Sequence, residues 1–72
     1  MEWQQLIGFY HIVKSGGFTK AAQITHRTQS ALTQQIKKLE EELDCLVFER
    51  LGKRKIILTP AGEKLFSFTQ KL

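Results

Sequence analysis

Acidic residues are missing from most of the first half of this chain: nothing between Glu2 and Glu40 carries a carboxylate, while Lys14, Lys20, Arg27, Lys37 and Lys38 all fall there. Cysteine is nearly absent too. The single Cys45 excludes an internal disulfide and a thiolate zinc cluster, which fits a reducing compartment, and its expected place is that of a small hydrophobe near the core. No apolar run approaches membrane-spanning length, and the N-terminus lacks the basic-then-apolar pattern of a secretory signal, so the expected location is cytoplasmic, with no membrane partner. With one proline, five glycines and 42% hydrophobic residues, the composition is that of a folding chain and not of a disordered one. Its 72 residues hold one small domain and leave no room for a large enzyme cleft.

The charge that is present is unevenly placed. The net value is +4, and a second basic run, Arg50, Lys53, Arg54 and Lys55, follows Glu49, while Glu40, Glu41, Glu42 and Asp44 lie between the two basic segments. A positive balance raises the odds of a polyanionic partner without naming one.

Periodicity orders the chain into four helical segments and a hairpin. Leu6, Phe9, Tyr10 and Val13 recur at the spacing of one helix face, and Ser15-Gly16-Gly17 ends that helix. A second, short helix starts at Phe18 behind Gly17 as N-cap, with Ala21, Ala22 and Thr25 at the same spacing; its alanines allow another helix to approach closely. Thr28 is the next N-cap, and Leu32, Ile36, Leu39 and Leu43 form an apolar stripe that Asp44 closes. Val47 to Arg50 and Lys55 to Thr59 read as short strands around Leu51-Gly52-Lys53-Arg54, a hairpin with a basic tip. Thr59-Pro60 opens a last helix as N-cap and first helical residue, with Ala61, Leu65, Phe68 and Leu72 on one side, Phe66 beside them and no stop signal after it.

The third helix carries the functional signal. At about 100° per residue, Gln29, Ser30, Thr33, Gln34 and Lys37 fall on an arc roughly 120° from the centre of the apolar stripe. A face of amides, hydroxyls and lysine at a helix start suits the DNA major groove: Gln bonds adenine N6 and N7 together, hydroxyls and Lys reach phosphates, and a carboxylate would be repelled. The helix N-terminus adds its own preference for anions. Any one of these residues alone is better explained as part of a solvated face. As a set, behind a short helix and a tight link and ahead of a basic-tipped hairpin, they describe a helix-turn-helix with a wing.

Leu6, Phe9, Gly16, Phe18, Ala21-Ala22, Thr28-Gln29-Ser30-Ala31, Gln35-Ile36, Leu39-Glu40, Leu43, Phe48-Glu49-Arg50 and Leu58-Thr59-Pro60-Ala61-Gly62 stand in an order and spacing that spans essentially the whole chain. In these positions the sequence resembles the N-terminal DNA-binding domain of LysR-type bacterial transcriptional regulators. The resemblance implies a mainly α winged helix-turn-helix with a small β-hairpin over residues 1–58, and the start of a linker helix over 59–72. It makes Phe18 to Thr25 the supporting helix and Thr28 to Leu43 the recognition helix. It assigns DNA contact to Thr28, Gln29, Ser30, Thr33, Gln34 and Lys37, with Arg50, Lys53 and Arg54 on the wing and its approach, and homodimerisation to Leu65, Phe66, Phe68 and Leu72. The implied partner is double-stranded DNA bearing an interrupted inverted repeat. A small-molecule effector is implied only for a larger domain that this chain does not contain, and no cofactor, metal or catalytic residue is expected.

The chain departs from the family pattern at Gly17, where Ser is common, at Ser30 in place of Pro, at Gln34 where Arg is frequent, at Asp44 in place of Gly and at Thr25 in place of Leu. Asp44 is expected in a left-handed conformation and Thr25 to bond back to a carbonyl such as that of Ala21. Two other readings compete. One is a helical protein-interaction module with incidental basic charge. The other, an enzyme, is weaker, because His11 and His26 lack a carboxylate partner nearby in sequence and no phosphate loop or paired-acid motif is present. Trp3 and Tyr10 are better explained by packing than by base stacking, with a cap on the dimer contact as the alternative for Trp3.

Overall fold

The computed structural model describes residues 2–49 and 56–72. Helices α1 (Trp3–Ser15), α2 (Phe18–Thr25) and α3 (Gln29–Leu43) are followed by strands β1 (Phe48–Glu49) and β2 (Ile57–Leu58) and by helix α4 (Pro60–Gln70). The strands pair antiparallel with Phe48 opposite Leu58 and Glu49 opposite Ile57.

Helix α1 is the hub, packing against α2, α3 and α4. It can do so because Leu6, Phe9 and Ile12 are buried on successive turns, with Phe9 and Ile12 completely inside. Ile12 replaces Tyr10 and Val13 on the inward face expected from periodicity; those two lie at the edge of the core and are half-buried. Gly16 then takes a left-handed conformation (φ 83°) and donates its N–H to the Ile12 carbonyl at 3.0 Å, which stops the helix.

Phe9, Ile12, Leu32, Leu39 and Val47 are the largest fully enclosed residues, joined in the core by Leu6, Ala21, Ala22, Ile36, Phe48 and Leu65. Phe48 places the start of the wing on this core: its ring lies 5.4 Å from that of Phe9, tilted, and 6.0 Å from that of Phe18, edge on.

The backbone of Val47 is the joint between α3, the strand pair and α4. Its buried N–H donates to the Glu40 carboxylate at 3.0 Å, and its carbonyl accepts the Thr59 N–H at 3.1 Å. Thr59 also donates its hydroxyl to the Leu46 carbonyl at 2.6 Å and, as N-cap of α4, accepts the Gly62 N–H at 3.0 Å. Gly62 rests directly against the Val47 carbonyl, leaving no space for a Cβ.

That close approach rotates α4 away from the expected face. Gly62, Leu65 and Thr69 are the buried residues, with Phe66 half-buried and its ring stacked 5.9 Å from Tyr10. Phe68 and Leu72 point outward, 51% and 58% exposed. Leu65, assigned to dimerisation, is buried in this chain's own core. Two further expectations are overturned. Trp3 does not pack but is 60% exposed, standing at the open end of the α1–α4 contact, where it borders a cleft with Leu6, Tyr10, Thr69 and Leu72. Cys45 is exposed, because the left-handed Asp44 reverses the chain and fastens the Cys45 N–H to the Glu40 carbonyl at 3.2 Å, leaving the side chain outside.

In an ordinary exposed helix Gly→Ala stabilises by about 1 kcal/mol. At Gly62 the sign should reverse: Gly62→Ala is expected to destabilise by about 1–3 kcal/mol, since the methyl meets backbone and not a flexible side chain. Urea denaturation of the two proteins measures this, and an equal or higher midpoint for the alanine variant would contradict the packing described.

Candidate nucleic-acid interface

The angle between α2 and α3 is set by three residues and by small side chains. Ala21 and Ala22 are buried, which brings α2 close to its neighbours, and Thr25 hides its polarity by donating its hydroxyl to the Ala21 carbonyl at 2.8 Å, as expected. His26 then adopts the left-handed conformation (φ 58°), and the Arg27 N–H donates back to the Ala22 carbonyl at 2.9 Å, closing the end of α2. Thr28 is extended and its hydroxyl accepts the Ala31 N–H at 3.0 Å, so the next helix starts at once. The role of His26 goes beyond the sequence reading. Its signal there is weak, though His shares with Asn and Asp an enrichment at positive φ.

Helix α3 then presents two different sides. Leu32, Ile36 and Leu39 are buried and Leu43 is half-buried against the core. Gln29, Ser30, Gln34 and Lys37 are exposed, and Thr33 is half-buried at the margin of the same arc. Thr28 is exposed too, with its hydroxyl already engaged as the cap. The structure thus brings six of the nine residues assigned to DNA contact together on one end and one side of α3. Arg50, Lys53 and Arg54, the wing residues, lie outside the described residues.

Two anchors hold that side in place, and the sequence reading gives neither residue this role. Gly8 on α1 permits a close helix crossing: a Cβ there would stand 3.0 Å from Gln35 Oε1 and 3.3 Å from Leu32 Cδ2. Glu40, one of a group of acids in the sequence, is buried and bonded to the Val47 N–H. Its spacing is informative: four residues from Ile36 and three from Leu43, it falls on the buried stripe. The α3 C-terminus ends at Asp44 in the left-handed conformation expected (φ 57°).

Among the described residues, no group of three His, Cys, Asp or Glu side chains could hold a metal ion, and no described helix is long and apolar enough to cross a membrane. The sequence pattern of the bacterial regulatory helix-turn-helix proteins, lysR family, matches residues 3–63. The chain belongs to the lysR family.

Relatives and solved structures agree with that assignment. The chain is 47% identical over its full length to the uncharacterised HTH-type transcriptional regulator YwqM of Bacillus subtilis (strain 168), and 35% identical over 69 residues to the RuBisCO operon transcriptional regulator of Allochromatium vinosum. It spans 24% and 22% of the lengths of these relatives. Its fold matches the crystal structure of the BenM DBD in complex with catB site 1 DNA with a TM-score of 0.91 at 35% identity, over 99% of this chain and 78% of that one. The CbnR DBD–DNA complex matches with the same TM-score at 32% identity, over 99% of this chain and 80% of that one. The architecture is the winged helix-turn-helix of lysR-type domains, and these relatives are transcriptional regulators.

The Thr28 cap is the local interaction that starts the candidate face of this lysR-family domain. Thr28→Ala is expected to lower the unfolding free energy by about 1 kcal/mol, with Thr28→Ser close to the parent. Denaturant midpoints decide it: an alanine variant as stable as the parent would mean that the hydroxyl does not hold the helix start.

Proposed function

We propose that this chain is the DNA-reading part of a lysR-type transcriptional regulator, binding double-stranded DNA sequence-specifically with the first half of α3 in the major groove. The observation that carries the reading is the exposed arc of Gln29, Ser30, Gln34 and Lys37, with Thr33 at its margin, in a stretch of chain without a single carboxylate. An α-helix fits the roughly 12 Å width of the major groove, and an acid-free surface avoids repulsion from the phosphates on either side. The close fold match to two domains solved with DNA supports the same docking.

Roles follow from chemistry and position. Gln29 and Gln34 read base edges, since an amide offers both a donor and an acceptor to adenine. Ser30, Thr33 and Lys37 reach phosphates or sugar along the groove wall, and Thr28 places the helix start against the backbone. Arg50, Lys53 and Arg54 supply the wing contact to the backbone or minor groove. The regulator acts in the cytoplasm.

Gln29→Ala or Gln34→Ala should relax preference at particular base pairs, by about 1–3 kcal/mol for each bidentate amide–base pair removed, while leaving non-specific binding almost unchanged. Competition between matched and substituted duplexes measures this. Unaltered preference in both variants would remove the base-reading role, and no binding to any duplex at low salt would favour a protein-interaction module.

We further propose that the unit on DNA is a homodimer formed through α4. Phe68 and Leu72 are exposed apolar residues at that end of the chain, Phe66 is half-buried beside them, and exposed Trp3 continues the patch from α1. A two-fold pair carries two recognition helices to half-sites one or more DNA turns apart, which makes the preferred site an interrupted inverted repeat. Phe68→Glu should separate the pair, because the new charge would be buried unpaired, and should cost affinity on a full site while sparing a single half-site. Sedimentation and titration together test it; a variant as dimeric as its parent, with equal affinity for both DNAs, would refute the arrangement.

A further inference from the structure

We infer that Arg27 is a preset phosphate contact at the rim of the groove and that Gln4 is the residue that positions it. The inference rests on the DNA reading above and adds two residues that it did not include.

Arg27 stands between the left-handed His26 and the cap Thr28, and its backbone is fixed to α2 through the Ala22 carbonyl. Its side chain is exposed yet held: Nη2 donates to Gln4 Oε1 in the first turn of α1, 2.7 Å away and 23 residues earlier in sequence. The partner is a neutral amide. A carboxylate in that place would cancel the charge, whereas the amide occupies one of five guanidinium donors and leaves the charge and the remaining donors available. No acid occurs from Trp3 to Leu39, and Glu2, the N-cap of α1, is the nearest to Gln4 in sequence. Arg27 and Gln4 border a cleft of about 320 Å³ shared with Ile7, Gly8, His11, Ile24 and Thr25, so one side of the pair faces protein.

Position decides between phosphate and base. Arg27 is two residues before Gln29, so their Cα atoms are within about 7 Å, less than the roughly 12 Å width of the groove. The bond to Gln4 draws the guanidinium toward α1, and α1 packs on the side of α3 that holds Leu32 and Gln35, away from the base-reading arc. A cation held next to the groove helix but turned from its floor meets the backbone. Holding the side chain in advance reduces the rotamer entropy that binding removes.

The test uses the parent chain and the Arg27→Gln, Arg27→Lys and Gln4→Ala variants, titrated from 50 to 200 mM salt with a duplex carrying a selected site and with an unrelated duplex. Arg27→Gln should bind both more weakly and flatten the slope of log K against log salt by about 0.9, making its deficit about threefold larger at 50 mM than at 200 mM. Arg27→Lys should keep the parent's slope. Gln4→Ala should keep the slope and reduce affinity about two- to tenfold, the signature of impaired positioning and not of a missing charge. Melting temperatures close to the parent's separate these effects from a folding defect. A parent slope in Arg27→Gln overturns the phosphate contact, as does a loss confined to the selected site, and unchanged affinity in Gln4→Ala overturns its positioning role. Should Arg27→Gln fail to fold, a lowered slope in Arg27→Lys overturns the contact. A parent chain that binds neither duplex removes the DNA reading itself, which is a different outcome from a parent that binds normally and variants that match it.

Discussion

The described elements that follow α3 meet at one peptide backbone, that of Val47. An N–H buried without a partner costs about 1–3 kcal/mol, and here the Glu40 carboxylate, reaching down from α3, satisfies it. The carbonyl of the same residue accepts from Thr59 and lies against Gly62, so β1, β2 and the start of α4 converge on it. The strand pair and the outward face of α4 are therefore not independent appendages. Their orientation relative to α3 is set by a carboxylate, a carbonyl and a residue without a side chain.

The same economy shapes α3. A helix of 15 residues serves two surfaces with opposite demands, and the division is made by angle around the axis and by position along it. Leu32, Ile36 and Leu39 fill the core at every turn, while the first two turns leave amides and hydroxyls outward and the last turns carry the acids. Carboxylates near the start of the helix would favour its dipole but repel a polyanion; the domain forgoes them and relies on the neutral Thr28 hydroxyl to hold the N-terminus. At the other end, Glu40 is structural and the remaining acids stand at the end of α3 opposite the proposed base-reading arc. Helix stability and the proposed base reading thus fall to different residues, with Thr28 serving the helix start and Gln29 and Gln34 the bases.

Much of this is legible in the sequence because it depends on neighbours three or four residues apart. The stripe on α3, the caps at Thr28 and Thr59, the back-bonded Thr25 and the left-handed Asp44 are local consequences of residue type, and they appear as expected. What depends on distant contacts is not legible. The side of α4 that faces inward is chosen by Gly62 meeting Val47, fifteen residues earlier, so Leu65 goes to the core and Phe68 to the surface. Arg27 finds Gln4 across 23 residues, and no periodicity announces such a pair. Trp3 and Cys45 show the limit of assigning burial by residue type, since both side chains stand exposed at the surface. The basic wing residues lie outside the described residues, so their part of the site rests on sequence and family resemblance alone.

Central to this description of the domain is the proposal that the acid-free side of α3 reads DNA sequence in a two-fold arrangement. Selection of preferred sites from a pool of random duplex DNA addresses it most directly, since one experiment reports both recognition and symmetry. The expected result is enrichment of a consensus made of two inverted half-sites separated by an uncontacted spacer, with adenines among the positions the glutamines meet. Recovery of unenriched sequence at salt low enough for binding would contradict it.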